Sequence, residues 1–374
     1  MKIKYFLCCF MLIAQVFAID NIVPANATIN QLQTLLKQNK LSCVDVVNYY
    51  LERIKKYDLA MTNNSAPLNA ISEISTDALL TAQQLDQLHK TTGKMPGQLF
   101  CTPVIVKDNI DVAGMTTTAG SYALLGTKPL HDALIIKKLK QENAIILAKT
   151  SMDELASGLW GMSSRDGRVG NAFDSNQNPG GSSSGSAVGI ASDFAVLALG
   201  TDNSGSVRFP AAFNGIYGLR PTKGLVSHDG VFPLGNIDGT VGPMARSVTD
   251  LATMLNVITD ESSSTRNGYT KLLNKNYLQG KRIAVIDSIN GEQVYKTMPE
   301  TIKLIFTQAM DNLSKQGATV IHINLTNYNY DRKYNMAGSR EEIDSYLHMN
   351  LATRMSFTDI CNSNRTRIYG NKAK

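Results

Sequence analysis

At 374 residues, with 43% hydrophobic and 18% charged residues, the chain has an ordinary globular composition, long enough for one large domain or two smaller ones around a sizeable core. The formal charge of +6 is modest and no dense Lys/Arg stripe alternates with aromatics, which reads as solvated lysines and argues against a nucleic-acid partner.

The N-terminus stands apart. Lys2 and Lys4 form a positive region, Tyr5 to Phe17 is apolar, and Val16-Phe17-Ala18 offers small residues for cleavage. This predicts a secretory signal peptide at 1–18 and a mature, exported chain at 19–374, with an uncleaved anchor as the alternative. The apolar run is shorter than the roughly 20 residues of a membrane span, so no stable span is expected after cleavage. Cleavage leaves Cys43, Cys101 and Cys361, none spaced like a metal site or a redox pair. Each reads as a small buried hydrophobe, with one bridge left open.

Thr28 to Asp58 begins with an N-cap residue and carries Ile29, Leu32, Leu35, Leu36 and then Val44, Val47, Leu51, Ile54 at helical spacing. Two helices broken near Asn39-Lys40 are predicted. Thr76 to His89 reads as a third helix, and Thr102 to Val106 as a short buried strand running into Lys107. His131 to Asn143 follows as an amphipathic helix and Ala144 to Ala148 as a buried strand. Arg246 to Ile258 (helix), Arg282 to Ile286 (strand), Glu300 to Gln316 (helix) and Thr319 to Ile323 (strand) continue the alternation. Such alternation predicts an α/β fold with helices on both faces of a central sheet. The Ser-, Thr- and Asn-rich stretch Asp260 to Gly280 reads as an inserted surface loop, because alternation resumes after it.

Motifs for nucleotide phosphate (GxxxxGK[ST]), zinc hydrolases (HExxH) and penicillin-binding serines (SxxK) are absent, and neither metal nor organic cofactor is called for. The five histidines are scattered outside any triad motif. Two small-residue segments stand out, PGGSSSGSAVG at 179–189 and GTDNSGSVRFPAAF at 200–213. The apolar runs around them belong to a folded core, so Ser182 and Ser206 fall on tight turns where hydroxyls and bare N–H groups reach a carbonyl. Gly181 to Gly185 also matches GxSxG around Ser183, but a nucleophile elbow needs a preceding strand, and polar Ser175 to Pro179 is a poor one. A serine nucleophile without histidine needs another base. Lys107, directly after Val104-Ile105-Val106, is the best candidate, because burial disfavours the ammonium form. The competing reading pairs it with Asp108 at a strand end.

Three blocks in order, TPVIVKDNIDVAGMTTTAGS at 102–121, PGGSSSGSAVG at 179–189 and GTDNSGSVRFPAAF at 200–213, closely resemble the amidase signature family. The likeness continues through LRPTKGLVS, DGTVGPMARSV and EIDSYL. Relatives include bacterial amidases and the A subunit of glutamyl-tRNA amidotransferase. The resemblance implies a single amidase domain built on a central mixed, twisted sheet with helices on both faces, and a serine hydrolase with a Ser–Ser–Lys triad. Matched residue by residue, it makes Ser206 the nucleophile, Ser182 (after a cis Gly181–Ser182 peptide) the bridging serine, and Lys107 the base. Backbone N–H groups of Asn203, Ser204, Gly205 and Ser206 would form the oxyanion hole. Ser183, Asp202 and Arg208 would support the site, and Met152 would line the acyl side, with core packing as its open alternative.

Two departures qualify the match. TDNSGS replaces the usual TDTGGS, so a positive φ at Ser204 would strain the turn. Many relatives also continue well beyond the segment that Ser356 to Asn362 resembles, so the C-terminal part of the domain is expected to be incomplete. The expected function is an exported amidase acting on a small-molecule amide. A glutaminase resembling the amidotransferase component and a truncated non-catalytic paralogue are the alternatives; the specific amide and the oligomeric state stay open.

Overall fold

The computed structural model describes residues 23–60, 66–233, 239–259, 268–328 and 340–363. The expected signal peptide at 1–18 lies outside them. Reciprocal capping boxes open the first two helices: Thr28 with Gln31 on α1 (Ile29–Lys37), and Ser42 with Asp45 on α2 (Cys43–Tyr57). Each satisfies two N–H groups that a helix start leaves without partners. Asn39, with a left-handed φ of 53°, makes the break between them.

There follow β1 (Ile71–Ile74), α3 (Ala78–Thr92), β2 (Pro103–Lys107), α4 (Leu134–Gln141) and β3 (Ile145–Thr150), and then a short hairpin of β4 (Met162–Ser163) with β5 (Gly167–Arg168). The next stretch holds α5 (Ser184–Ala191), β6 (Leu197–Asp202), α6 (Arg208–Phe213), β7 (Tyr217–Gly218), β8 (Thr240–Ala245) and α7 (Val248–Ile258). The sheet order is β1-β3-β2-β6-β8-β7. Its centre, β3-β2-β6, is parallel, and β1, β8 and β7 pair antiparallel, so the sheet is mixed as expected. Every residue of β2, β3 and β6 is buried, the pattern of strands covered on both faces.

By internal contacts the chain divides into two compact units, residues 1–269 with 335–374, and residues 270–334. The second unit holds β9 (Arg282–Ile289), β10 (Glu292–Gln293), α8 (Glu300–Lys315) and β11 (Thr319–Leu325), with β9 parallel to β11. These strands form a separate three-stranded sheet and do not extend the central one. The boundary falls inside 260–280, the stretch read as a surface loop; residues 260–267 lie outside the described residues. Alternation resumes after it because a second sheet begins there. Two further helices, α9 (Arg340–Asn350) and α10 (Phe357–Asn362), belong to the first unit. There Ile343, Tyr346, Leu347 and Ile360 join Ala119, Leu124, Met152 and Phe232 in an apolar cluster.

The cysteines depart from the sequence reading. Cys43, at the start of α2, forms a disulfide with Cys101, two residues before β2, with Cα atoms 5.3 Å apart. Both are fully buried, whereas Cys361, expected inside, is exposed. Packing of α2 against the entrance to β2 brings together two thiols that are 58 positions apart in sequence.

Candidate active site

Because β2 and β6 run parallel, their C-terminal ends lie side by side, the edge of an open α/β sheet where ligands bind. Lys107 closes β2, and Thr201-Asp202 closes β6. Lys107 Nζ lies 2.8 Å from Ser182 Oγ, 2.8 Å from Thr201 Oγ1 and 3.4 Å from the Thr201 carbonyl oxygen. The lysine is fully buried, and burial pulls its amine down to about 7, against the opposing pull of Asp153 and Asp202. The competing pairing with Asp108 is not formed. Asp108 instead accepts from Arg165 Nη1 at 2.8 Å and sits 3.7 Å from Lys149 Nζ.

The glycine-serine segment reaches Lys107 through close packing. A Cβ on Gly185 would fall 2.6 Å from the Ser151 carbonyl oxygen and 2.7 Å from its nitrogen, so only glycine lets α5 lie this near the end of β3. Ser183 anchors the start of α5 to β6: its Oγ donates to the Thr201 carbonyl and accepts from the Thr201 N–H, both at 3.2 Å. Its own N–H donates to the Ser206 carbonyl at 3.1 Å. Ser183 thus ties together the segments carrying both other serines. The Gly181–Ser182 peptide is cis, and no strand precedes Ser183, which sets the GxSxG match aside.

The turn after β6 is built around Asp202. Its fully buried carboxylate accepts from the N–H groups of Gly205 (2.7 Å), Val207 (3.1 Å) and Arg208 (3.3 Å). Arg208 grips the same group with Nε at 3.0 Å and Nη2 at 3.1 Å, a two-point brace, and Arg220 Nε stands 3.5 Å away. Burial pushes this carboxyl up, but the Arg208 and backbone donors outweigh it and hold it below the ordinary value. Ser206 is buried within this turn.

Two expectations change here. The Gly205 N–H is taken by Asp202, so of the four backbone donors expected for an oxyanion hole, this one points into the turn's own brace. The positive φ falls on Gly205, at 122°, and not on Ser204, so the TDNSGS wording introduces no left-handed serine. Met152 is fully buried in the apolar cluster with Phe232 and Leu124, which is the packing alternative.

Thr201 and Asn109 escaped the sequence reading. Asn109 Nδ2 donates to Thr201 Oγ1 at 3.1 Å, the same oxygen that faces Lys107. As an ammonium, Lys107 has three hydrogens for Ser182 Oγ, Thr201 Oγ1 and the Thr201 carbonyl. On losing one, it keeps two for Thr201 and turns a lone pair toward Ser182. The neutral amine in this arrangement has the geometry to accept a hydrogen bond from the Ser182 hydroxyl.

Comparison with known proteins agrees with this architecture. The sequence profile described as Amidase matches residues 45–374. The chain is 40% identical over 273 residues to the A subunit of the glutamyl-tRNA(Gln) amidotransferase of Archaeoglobus fulgidus, covering 72% of this chain and 56% of that protein. To the corresponding protein of Thermoanaerobacter pseudethanolicus it is 36% identical over 311 residues, covering 81% and 61%. It thus spans little more than half the length of these relatives. Among solved structures it is similar to the peptide amidase of Stenotrophomonas maltophilia (TM-score 0.72, 35% identity, 80% of this chain and 62% of that one). It is also similar to an amidase family protein of Bacillus anthracis str. Ames (TM-score 0.81, 32% identity, 95% and 72%). Sequence and architecture lead to one conclusion: this chain belongs to the amidase family.

Proposed function

We propose that the protein is an exported serine amidase that cleaves a carboxamide C–N bond through an acyl-enzyme on Ser206. The observation that carries this is the 2.8 Å contact between Ser182 Oγ and a fully buried Lys107 whose amine titrates near 7. A base of that strength is half neutral at physiological pH, the optimum for both taking and returning a proton. Ser206 Oγ attacks the carbonyl carbon as its proton passes to Ser182, whose own proton moves to Lys107. Reversed, the same relay protonates the nitrogen as the C–N bond breaks, so that ammonia or an amine leaves and not an amide anion. Water then adds to the ester by the same route, and the carboxylate departs. The Ser206 N–H in the turn after β6, without that of Gly205, would receive the developing oxyanion. The buried Cys43–Cys101 disulfide supports export, since such bonds persist in oxidising compartments.

A fluorophosphonate probe tests the assignment. Labelling is expected in the folded protein, lost in Ser206→Ala and retained in Ser183→Ala. Folded protein that never labels would instead support the non-catalytic reading. The likeness to the amidotransferase proteins favours glutamine as a second candidate substrate. Assaying glutamine beside short amides, arylamides and aminoacyl amides separates the two readings. Cell fractionation tests export.

A further inference from the structure

Asp153 lies outside the three residues of the relay, yet four hydrogen bonds converge on its N–H and carboxylate. It is fully buried in the turn just after β3. Its N–H donates to the Ser182 carbonyl at 3.2 Å, across the backbone of the bridging serine. Its Oδ1 accepts from the N–H groups of Trp160 (3.1 Å) and Met162 (3.2 Å), and its Oδ2 from that of Gly161 (3.0 Å). The carboxylate is wedged between two glycines: a Cβ on Gly158 would fall 2.9 Å from its Cγ, and one on Gly181 3.1 Å. No larger residue fits at either position while Asp153 stays in place.

Resting on the proposed function, we propose that Asp153 is the positioning residue of the relay: its carboxylate pins the 160–162 turn against the Gly181–Ser182 peptide and stands, without an ion-pair partner among the described residues, behind the serine that Lys107 contacts. The two carboxylates that act on Lys107 are Asp153, the stronger, and Asp202. They differ in company. Asp202 is bound by Arg208 and flanked by Arg220, whereas Asp153 forms no ion pair among the described residues. Burial holds the Asp153 carboxyl above its ordinary value, and its three N–H donors and the charge of Lys107 offset only part of that rise. A charge so placed stabilises protonated Lys107, so it sets the pH above which the amine is neutral enough to accept a proton.

The pH dependence of Ser206 labelling by a fluorophosphonate reads this directly, because labelling requires the relay to take the serine proton. In Asp153→Asn the acidic limb is expected about 1 pH unit lower, with the plateau rate reduced about tenfold. Thermal melting and the emission of Trp160, the only tryptophan, report whether the fold and the turn survive. A folded Asp153→Asn protein whose acidic limb coincides with that of wild type overturns the inference; a merely structural aspartate would lower the melting temperature and leave the limb in place. Should Asp153→Asn not fold, Gly158→Ala displaces the carboxylate without removing its charge. It is expected to slow labelling, and a wild-type rate in Gly158→Ala overturns the positioning role. Wild-type protein that does not label at Ser206 overturns the proposed function first, and this inference with it.

Discussion

A buried amine has few places to put its hydrogens, and at Lys107 those places are Ser182 and Thr201. Thr201 decides which way the lone pair points, so removing its hydroxyl should cost rate before it costs fold. Thr201→Val keeps the volume but leaves both Lys107 and Asn109 without their shared acceptor. We expect Ser206 labelling to slow by about 10–100-fold, with a stability loss of about 1–2 kcal/mol, and Thr201→Ser to restore most of both. Labelling kinetics and urea denaturation measure the two effects. The turn after β6 makes the opposite demand, for a residue with no side chain. A Cβ on Gly205 would lie 2.6 Å from Phe209 Cδ2, on a backbone at φ 122°. Gly205→Ala is therefore expected to abolish labelling and cost about 1–3 kcal/mol, while Ser204→Gly keeps the labelling of wild type. Equal tolerance at both positions would show that the strain argument is misplaced.

At the level of elements, β2 carries Lys107, and its entrance is stapled to α2 by Cys43–Cys101. The bridge closes a loop across 58 positions, and a cross-link of this span stabilises by about 2–4 kcal/mol through restriction of the unfolded chain. Cys43→Ser with Cys101→Ser should lower the urea midpoint accordingly and leave the labelling rate of the folded fraction unchanged, since neither sulfur touches the relay. An unchanged midpoint would mean that the bridge does not form in solution. The amphipathic helices and the strands with continuous apolar runs were readable from periodicity. Helix α5 was not, because Ser184 through Ile190 is buried on every side and shows no polar face. Nor does alternation say which sheet a strand joins, which is why the pairing of β9 with β11 became evident only in three dimensions.

For the whole molecule, the buried lysine links stability to pH, and under the proposed relay it links activity to pH as well. Labelling and hydrolysis should rise through about pH 7 as Lys107 becomes neutral. Stability should rise as well. Between about 7 and 10.5 the unfolded chain holds a proton that the folded chain has released, so raising the pH favours the folded state across that window. The gain is of order 5 kcal/mol at 1.36 kcal/mol per pH unit. Lys149, also fully buried and pushed down by desolvation, adds a slope of the same sign. Lys107→Met should remove its share of the slope and all of the labelling while leaving the protein folded. Denaturant titrations at pH 7 and pH 9 measure this; a mutant slope equal to that of wild type would mean Lys107 stays protonated.

Residue order alone dictated what is local or sequential along the chain: the three blocks, the apolar strand delivering Lys107, the two serine turns and the cap of the first helix. These follow from neighbours within a few positions, where periodicity and side-chain chemistry act directly. Three-dimensional packing was needed to bring Lys107 to Ser182 and Thr201, 75 and 94 positions away, and to turn Asp108 toward Arg165 and Lys149. The same packing gives the Gly205 N–H to Asp202 and stands Asp153 behind Gly181. A hydrogen bond forms over about 3 Å, and which groups come that close depends on how strands pair and helices pack, not on how far apart they lie in sequence.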